Sequence, residues 1–139
     1  GFPGESAKEF DESYRFCESL KLSGIHVFPF SPRLGTTAFR MPGQINPATT
    51  KERMNRMLIL AKETAQLFRQ RFVGTTMGVL WEESSRDSEM PIWSGLTDNY
   101  LRVQTGSFLF IANRIEQTIL GTDHKANLWG NLVEATTTP

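Results

Sequence analysis

The pattern that most limits the fold lies between Asn46 and Gly74. Asn46 is a natural N-cap, and Pro47 suits the first helical position, where a missing N–H costs nothing. Met54, Met57/Leu58, Ala61, Ala65, Phe68 and Phe72 then recur every three or four residues, the period of one helix face. The spacing predicts a long helix over 47–72, stopped before Gly74. Beyond Gly74 the texture changes to short, β-branched runs punctuated by turns. A chain that switches period in this way divides there, with helical packing before residue 73 and a small β-structure after it.

In the second part Thr75–Glu82, Leu96–Gln104, Arg114–Leu120 and Asn127–Val133 read as strands. Several short strands at this spacing argue for a small antiparallel barrel or sandwich. The alternation puts Tyr100, Arg102 and Gln104 on one face of their strand and Leu101 and Val103 on the other. Trp81 is expected in the core. Glu82–Glu89 is polar and acidic and is expected to be an exposed hairpin loop, and the closing Thr-Thr-Thr-Pro is expected to fray.

The first part opens with a turn. In GFPG, Gly1 and Gly4 permit positive φ and Pro3 fixes its own. Ser6 and Glu9 fit a capping box, and Phe10, Tyr14, Cys17 and Leu20 follow at helical spacing, so a helix is expected over 6–22 with Gly24 as its left-handed stop. Ile25–Phe30 is continuously apolar, the texture of a strand covered on both faces in a parallel sheet. Turn, helix and buried strand form the second half of a β-α-β unit, and ligands in such folds lie outside the strands' carboxyl ends. Ser31, Pro32 and Arg33 then stand at that rim, although a plain exit from a strand would look the same. His26 at the strand's start is expected to be a hydrogen-bonded core residue, and His124, in a GTDHK turn, to be solvated.

Composition narrows the function. Of 139 residues 39% are hydrophobic and 22% charged, and no apolar run approaches the roughly 20 residues needed to cross a bilayer. No membrane partner is expected. The opening GFPGESAKEF has neither a basic n-region nor an apolar h-region, which leads to a cytoplasmic expectation. It also has no Met, which suggests a truncated chain. The single Cys17 excludes an internal disulfide and any multi-cysteine cluster built by this chain alone, and is expected to be an inert buried thiol. Net charge is zero, but residues 51–71 hold six basic against two acidic side chains, while residues 72–139 hold four against eight. Because phosphate contacts need Lys and Arg, an RNA-binding reading must rest on local clusters. The basic face of the 47–72 helix is either solvated or offered to phosphate.

Four blocks together resemble the C-terminal portion of the radical SAM methylthiotransferases, and most of all the branch acting on N6-threonylcarbamoyladenosine in tRNA. They are GFPGES before a helix, HVFPFSPRLGTTAFRM, the long helix with KER, and GLTDNYLRV within the β-part. The resemblance implies an α+β fold. The C-terminal part of a partly open (β/α)6 radical SAM barrel, residues 1–72, would be joined by the long helix to a small antiparallel, OB-like TRAM β-barrel, residues 73–139. It implies an enzyme that adds a methylthio group to C2 of the modified adenosine beside the anticodon, with S-adenosylmethionine and 4Fe–4S clusters as cofactors. The Cys-x-x-x-Cys-x-x-Cys motif that holds such a cluster is not in this sequence. The chain alone is therefore expected to hold no cofactor and to be inactive without the missing N-terminal part of the same enzyme.

By the same resemblance Gly1, Phe2, Pro3, Gly4 and Glu5, with Val27, Phe28, Pro29, Phe30 and Ser31, border the adenosine side of S-adenosylmethionine, mostly through backbone and apolar groups; pure packing is the competing reading. Arg33, Arg53, Arg56, Tyr100 and Arg102 are the expected contacts to tRNA, Tyr100 and Arg102 as a stacking and phosphate pair. For Arg33 a structural ion pair is the alternative. No catalytic residue and no metal ligand is expected. A stand-alone TRAM-type RNA-binding module, without chemistry, is the competing function.

Overall fold

Ser6 and Glu9 form the reciprocal cap that the sequence predicts. In the computed structural model, which describes residues 1–85, 89–124 and 127–133, the Ser6 hydroxyl accepts from Glu9 N while the Glu9 carboxylate accepts from Ser6 N. Helix α1, Ala7–Ser19, starts there and buries Phe10. It stops earlier than expected. Leu20 is the C-cap, and Lys21 rather than Gly24 takes the left-handed conformation, at φ 48. A short α2, Thr37–Arg40, is capped by Thr36. The N-terminus of α3, Pro47–Gln70, is capped as predicted, with Asn46 Oδ1 accepting from Thr49 N at 2.9 Å. The chain divides into two compact units, Gly1–Phe68 and Arg69–Pro139.

The first unit corrects one expectation. Ile25–Phe30 forms no strand, and its backbone makes no hydrogen bond to another described residue. Nor is it covered on both faces: Ile25, Val27 and Phe30 are half-buried, whereas His26 is exposed and Phe28 is 81% exposed. The physical reason is that a strand exists only by pairing, and this unit holds no other extended segment in register with it. His26 is therefore not a core histidine, and Cys17 is only half-buried.

The second unit is a closed barrel of five strands in the order β1-β2-β3-β5-β4. These are β1 Thr76–Ser85, β2 Ile92–Thr97, β3 Arg102–Gly106, β4 Arg114–His124 and β5 Asn127–Leu132. Four of the pairings are antiparallel, but β3 and β5 pair in parallel, so the barrel is not wholly antiparallel as expected. Closure leaves no open sheet edge. Val79, Trp81, Val103, Leu120 and Leu128 fill the interior with no exposed surface. Gly95 and Gly130 face the same interior. A Cβ on Gly95 would sit 2.9 Å from Trp81 Cε3 and 2.8 Å from Val79 Cγ1, so the bulk of Trp81 is matched by a missing side chain opposite. Glu82 and Glu83 lie in β1, where a bulge follows Trp81, rather than in a loop. Residues 86–88 of the expected acidic loop, the turn residue 125 and the tail 134–139 lie outside the described residues, and of 123 and 124 only the backbone is described.

Candidate functional site

The GFPGE turn is built as its residues demand. Glu5 N donates to Phe2 O at 3.1 Å across Pro3 and Gly4, and Gly4 has φ 86, the arrangement of a type II turn. Gly4 N donates to Gly43 O at 2.8 Å, and Gly43 is itself left-handed at φ 75. Arg53 reaches the turn from α3. Its guanidinium donates to Glu5 O at 3.0 Å and to Glu5 Oε2 at 2.6 Å, and lies 5.3 Å from the centre of the Phe10 ring. Arg56 sits 4.8 Å from the same ring and 5.2 Å from Tyr14, and donates to Asp11 Oδ1 at 2.8 Å. Two guanidiniums thus pin α1 and the turn to α3.

Beside this clamp two clefts adjoin along α3, sharing Pro29, Thr50 and Met54 as walls. One, of about 240 Å³, is lined by Glu5, Val27, Phe28 and Pro29 among others; the second, of about 370 Å³, by Pro29, Phe30, Pro32 and Ile45. Gly1 reaches both. The Phe2 and Phe30 rings meet edge to face at 5.3 Å. The two sequence blocks expected near a cofactor are therefore brought together, although they are separated by a helix. Phe2, Pro3, Gly4 and Ser31 line neither cleft; Pro3 is buried under the turn and Ser31 is exposed. Val27 and its neighbours make no backbone hydrogen bond to another described residue. A cluster is a different matter. The sequence has one cysteine, and among the described residues no group of three His, Cys, Asp or Glu could hold a metal.

In the barrel, the expected strand over 96–104 is instead a tight hairpin. Thr97 O accepts from Tyr100 N at 3.0 Å and Thr97 N donates to Leu101 O at 3.1 Å. The Thr97 hydroxyl adds contacts to Asn99 Oδ1 at 2.5 Å and to Leu101 N at 2.9 Å. Tyr100 occupies the left-handed position at φ 64, usually a glycine's place, and its ring is 84% exposed. Tyr100 and Arg102 therefore do not share a strand face: Tyr100 is at the turn, and Arg102 begins β3. The signal was present in Asp98-Asn99, a turn pair, but the alternating residues around it masked it. Arg102 donates to Glu82 Oε2 at 2.7 Å, with both side chains about two-fifths exposed (40% and 42%). Arg33 is exposed at the surface of the first unit, and among the described residues only its carbonyl is engaged, by Thr36. Of the five residues expected to meet tRNA, Arg53 is the one the structure buries, 9% exposed and fixed on Glu5; a helical periodicity cannot show that a basic side chain folds inward onto an aromatic ring.

The closed five-stranded barrel of the second unit is consistent with a TRAM-like, OB-type module. Sequence comparison is more specific. The chain is 36% identical over 104 residues, 74% of its length, to threonylcarbamoyladenosine tRNA methylthiotransferase MtaB of Bacillus subtilis (strain 168). It is 31% identical over its full length to tRNA-2-methylthio-N(6)-dimethylallyladenosine synthase of Dichelobacter nodosus (strain VCS1703A), and 28% identical over 96% of it to ribosomal protein uS12 methylthiotransferase RimO of Petrotoga mobilis (strain DSM 10674 / SJ95). No protein-family profile matches. The chain belongs to the methylthiotransferases. It spans 23%, 30% and 32% of the lengths of these three relatives.

Proposed function

We propose that this chain is the C-terminal, tRNA-holding portion of a radical SAM methylthiotransferase acting on N6-threonylcarbamoyladenosine beside the anticodon, with residues 1–72 as the end of the radical barrel and residues 73–139 as a TRAM domain. The observation that carries the reading is the convergence of Gly1, Glu5 and Val27–Phe30 on adjoining clefts beside α3. Val27, Phe28 and Pro29 form a wall on which the adenosine part of S-adenosylmethionine would rest, and their unpaired backbone groups could meet its polar edges. When bound in the whole enzyme, that cofactor supplies the methyl group and the radical. Glu5 is not free to serve as a base, because Arg53 holds it. The clusters need thiolates that this chain does not carry, so the chain alone is inactive. The extended, unpaired Ile25–Phe30, with Ile25 and Val27 turned inward and His26 and Phe28 outward, fits a barrel strand awaiting its neighbour.

Tyr100 supports the RNA part of the reading. Holding a bulky side chain left-handed costs about 1–2 kcal/mol, and an exposed ring returns little of that to the fold. Strain kept at a surface aromatic points to use, here base stacking, with Arg102 for phosphate. The test is binding of an anticodon stem-loop RNA at several salt concentrations. Arg102→Ala should weaken binding and flatten its salt dependence, and Tyr100→Asn, which suits the left-handed position, should weaken binding without loss of stability. Binding unchanged by both substitutions would remove this end of the barrel from the interface.

A further inference from the structure

The β4–β5 side of the barrel holds a feature that the interface at Tyr100 and Arg102 does not use. Between Leu120 and Asp123 the register of β4 on β5 slips. A notch of about 430 Å³ lies at this irregularity, lined by Gly121, Thr122, Trp129 and Asn131, a volume within the range of about 300–1,000 Å³ common for small-ligand sites. Gly121 makes it possible. A Cβ there would stand 2.8 Å from Trp129 O, so only a glycine lets the bulged strand run so close to β5.

Trp129 differs from the other two tryptophans. Trp81 and Trp93 are buried, at 0% and 5% exposure, whereas Trp129 is half-buried and alternates with the inward Leu128 and Gly130. Trp93 meets Phe110 edge to face and donates its indole N–H to Ser107 O; the Trp129 ring has no such partner among the described residues. Its neighbours extend a platform. Gln104 pairs with Trp129 across β3–β5, and Ser94 pairs with Gln104 across β2–β3. All three alternate with buried residues and so face outward. The row reads hydroxyl, amide and indole, with the exposed Asn131 amide beside it and no carboxylate in the row.

That chemistry selects its ligand class. A neutral row offers phosphate no counter-charge, but an indole offers a flat face, and an Asn amide both donates and accepts, as the edge of a nucleobase requires. Base–aromatic stacking tolerates any base, while the amide can prefer one edge over another. We propose that the notch holds one unpaired nucleobase of the bound RNA, stacked on Trp129 and read along its edge by Asn131. The proposal rests on the barrel being an RNA-holding module, and it adds a second contact, on the β4–β5 side, to the one at Tyr100.

The experiment titrates the full chain with a short unstructured RNA, following tryptophan emission and affinity. Because Trp81 and Trp93 are buried, quenching on binding should come from Trp129. Trp129→Ala should weaken binding roughly ten-fold, the scale of one lost stacked base, while Trp129→Phe should keep most of the affinity. The deficit should persist as salt rises, since stacking releases no counterions, and should vanish with an RNA of the same length made abasic. Asn131→Ala, at an exposed position, should leave folding intact and flatten any preference among bases, which keeps the proposal testable if Trp129→Ala does not fold. RNA binding that is equal in wild type, Trp129→Ala and Asn131→Ala would overturn the notch and leave the RNA-holding reading in place. No RNA binding by the wild-type chain would overturn both.

Discussion

Replacing Arg53 by Met keeps the length of the side chain and removes its charge and its donors. The buried guanidinium makes two hydrogen bonds to Glu5, at 3.0 and 2.6 Å, and covers the Phe10 ring at 5.3 Å. A hydrogen bond involving a charged group contributes about 1.5–3 kcal/mol, and a cation over a ring about 0.5–1 kcal/mol where it is partly exposed. Glu5 would be left with its carboxylate 22% exposed, so water could solvate it only in part. Two such bonds and the ring contact add to about 3.5–7 kcal/mol as an upper bound, and partial hydration of the freed Glu5 carboxylate brings the expected loss to about 2–3 kcal/mol, confined to the first unit. Its location can be read directly, because Trp81, Trp93 and Trp129 all belong to the second unit while α1 and most of α3 lie in the first. In urea, ellipticity at the helix band should therefore shift its midpoint by about 1–2 M, taking a slope of about 1–3 kcal/mol per molar, while tryptophan emission keeps its midpoint. A loss below about 0.5 kcal/mol would mean that the clamp is a surface ion pair of ordinary weakness. A shift of both midpoints together would refute the separation of the two units.

Two further outcomes follow from the same geometry. The Ser6 hydroxyl, and then the Ser6 backbone N–H, hold the Glu9 carboxyl below the usual carboxylate range; its contribution to α1 is therefore fully present above the unfolded value of about 4.3 and is lost as pH falls through the lower folded one. Acid titration of helix ellipticity should show this step in the wild type and lose it in Glu9→Gln. Gly95→Ala would drive a methyl group to 2.5 Å from Leu80 O and 2.9 Å from Trp81 Cε3; thermal unfolding followed by tryptophan emission should show a loss of about 3 kcal/mol, the upper range of overpacking.

Legibility in the sequence followed the range of the interactions. Local devices were readable. The Ser6–Glu9 cap, the Asn46-Pro47 start of α3 and the strand-rich texture after Gly74 depend on residues within four positions of one another, and the structure places them accordingly. Pairing was not readable. Whether Ile25–Phe30 becomes a strand depends on a neighbour that its own residues do not specify, and the parallel β3–β5 closure depends on residues more than twenty positions apart. The hairpin at 97–101 was missed for a subtler reason. Tyr100 to Gln104 alternate as a strand would, and that periodicity was extended back across the turn residues Asp98 and Asn99 to Leu96. In the site, the apolar run of Val27–Phe30 misled toward a covered strand, and only the family resemblance set it beside a ligand; the inward turn of Arg53 was not legible either, because charge alone ranks it with Lys51 and Lys62 on an exposed face.

The places where this chain departs from the rules of its own fold share one property. Tyr100 takes a glycine's conformation with its ring in water; Phe28 holds an apolar ring 81% exposed; the half-buried Trp129 faces outward where β4 slips register and Gly121 closes on its carbonyl. Each costs stability, and for none does a neighbouring side chain in the described residues return it. Surface aromatics scattered singly need no explanation, but strain or irregularity of the backbone coincides with two of these three, and the third lies in a segment whose whole hydrogen-bonding edge is open. Sequences that fold consistently at every other level keep such conflicts where a ligand resolves them. Under the proposed function the three positions would divide by chemistry, Phe28 lining the cleft assigned there to the adenosine and Tyr100 and Trp129 on the barrel assigned there to the RNA. If Tyr100→Asn and Trp129→Phe both proved stabilising while RNA binding stayed intact, the conflicts would be accidents of this sequence, and the division by chemistry would have nothing left to explain.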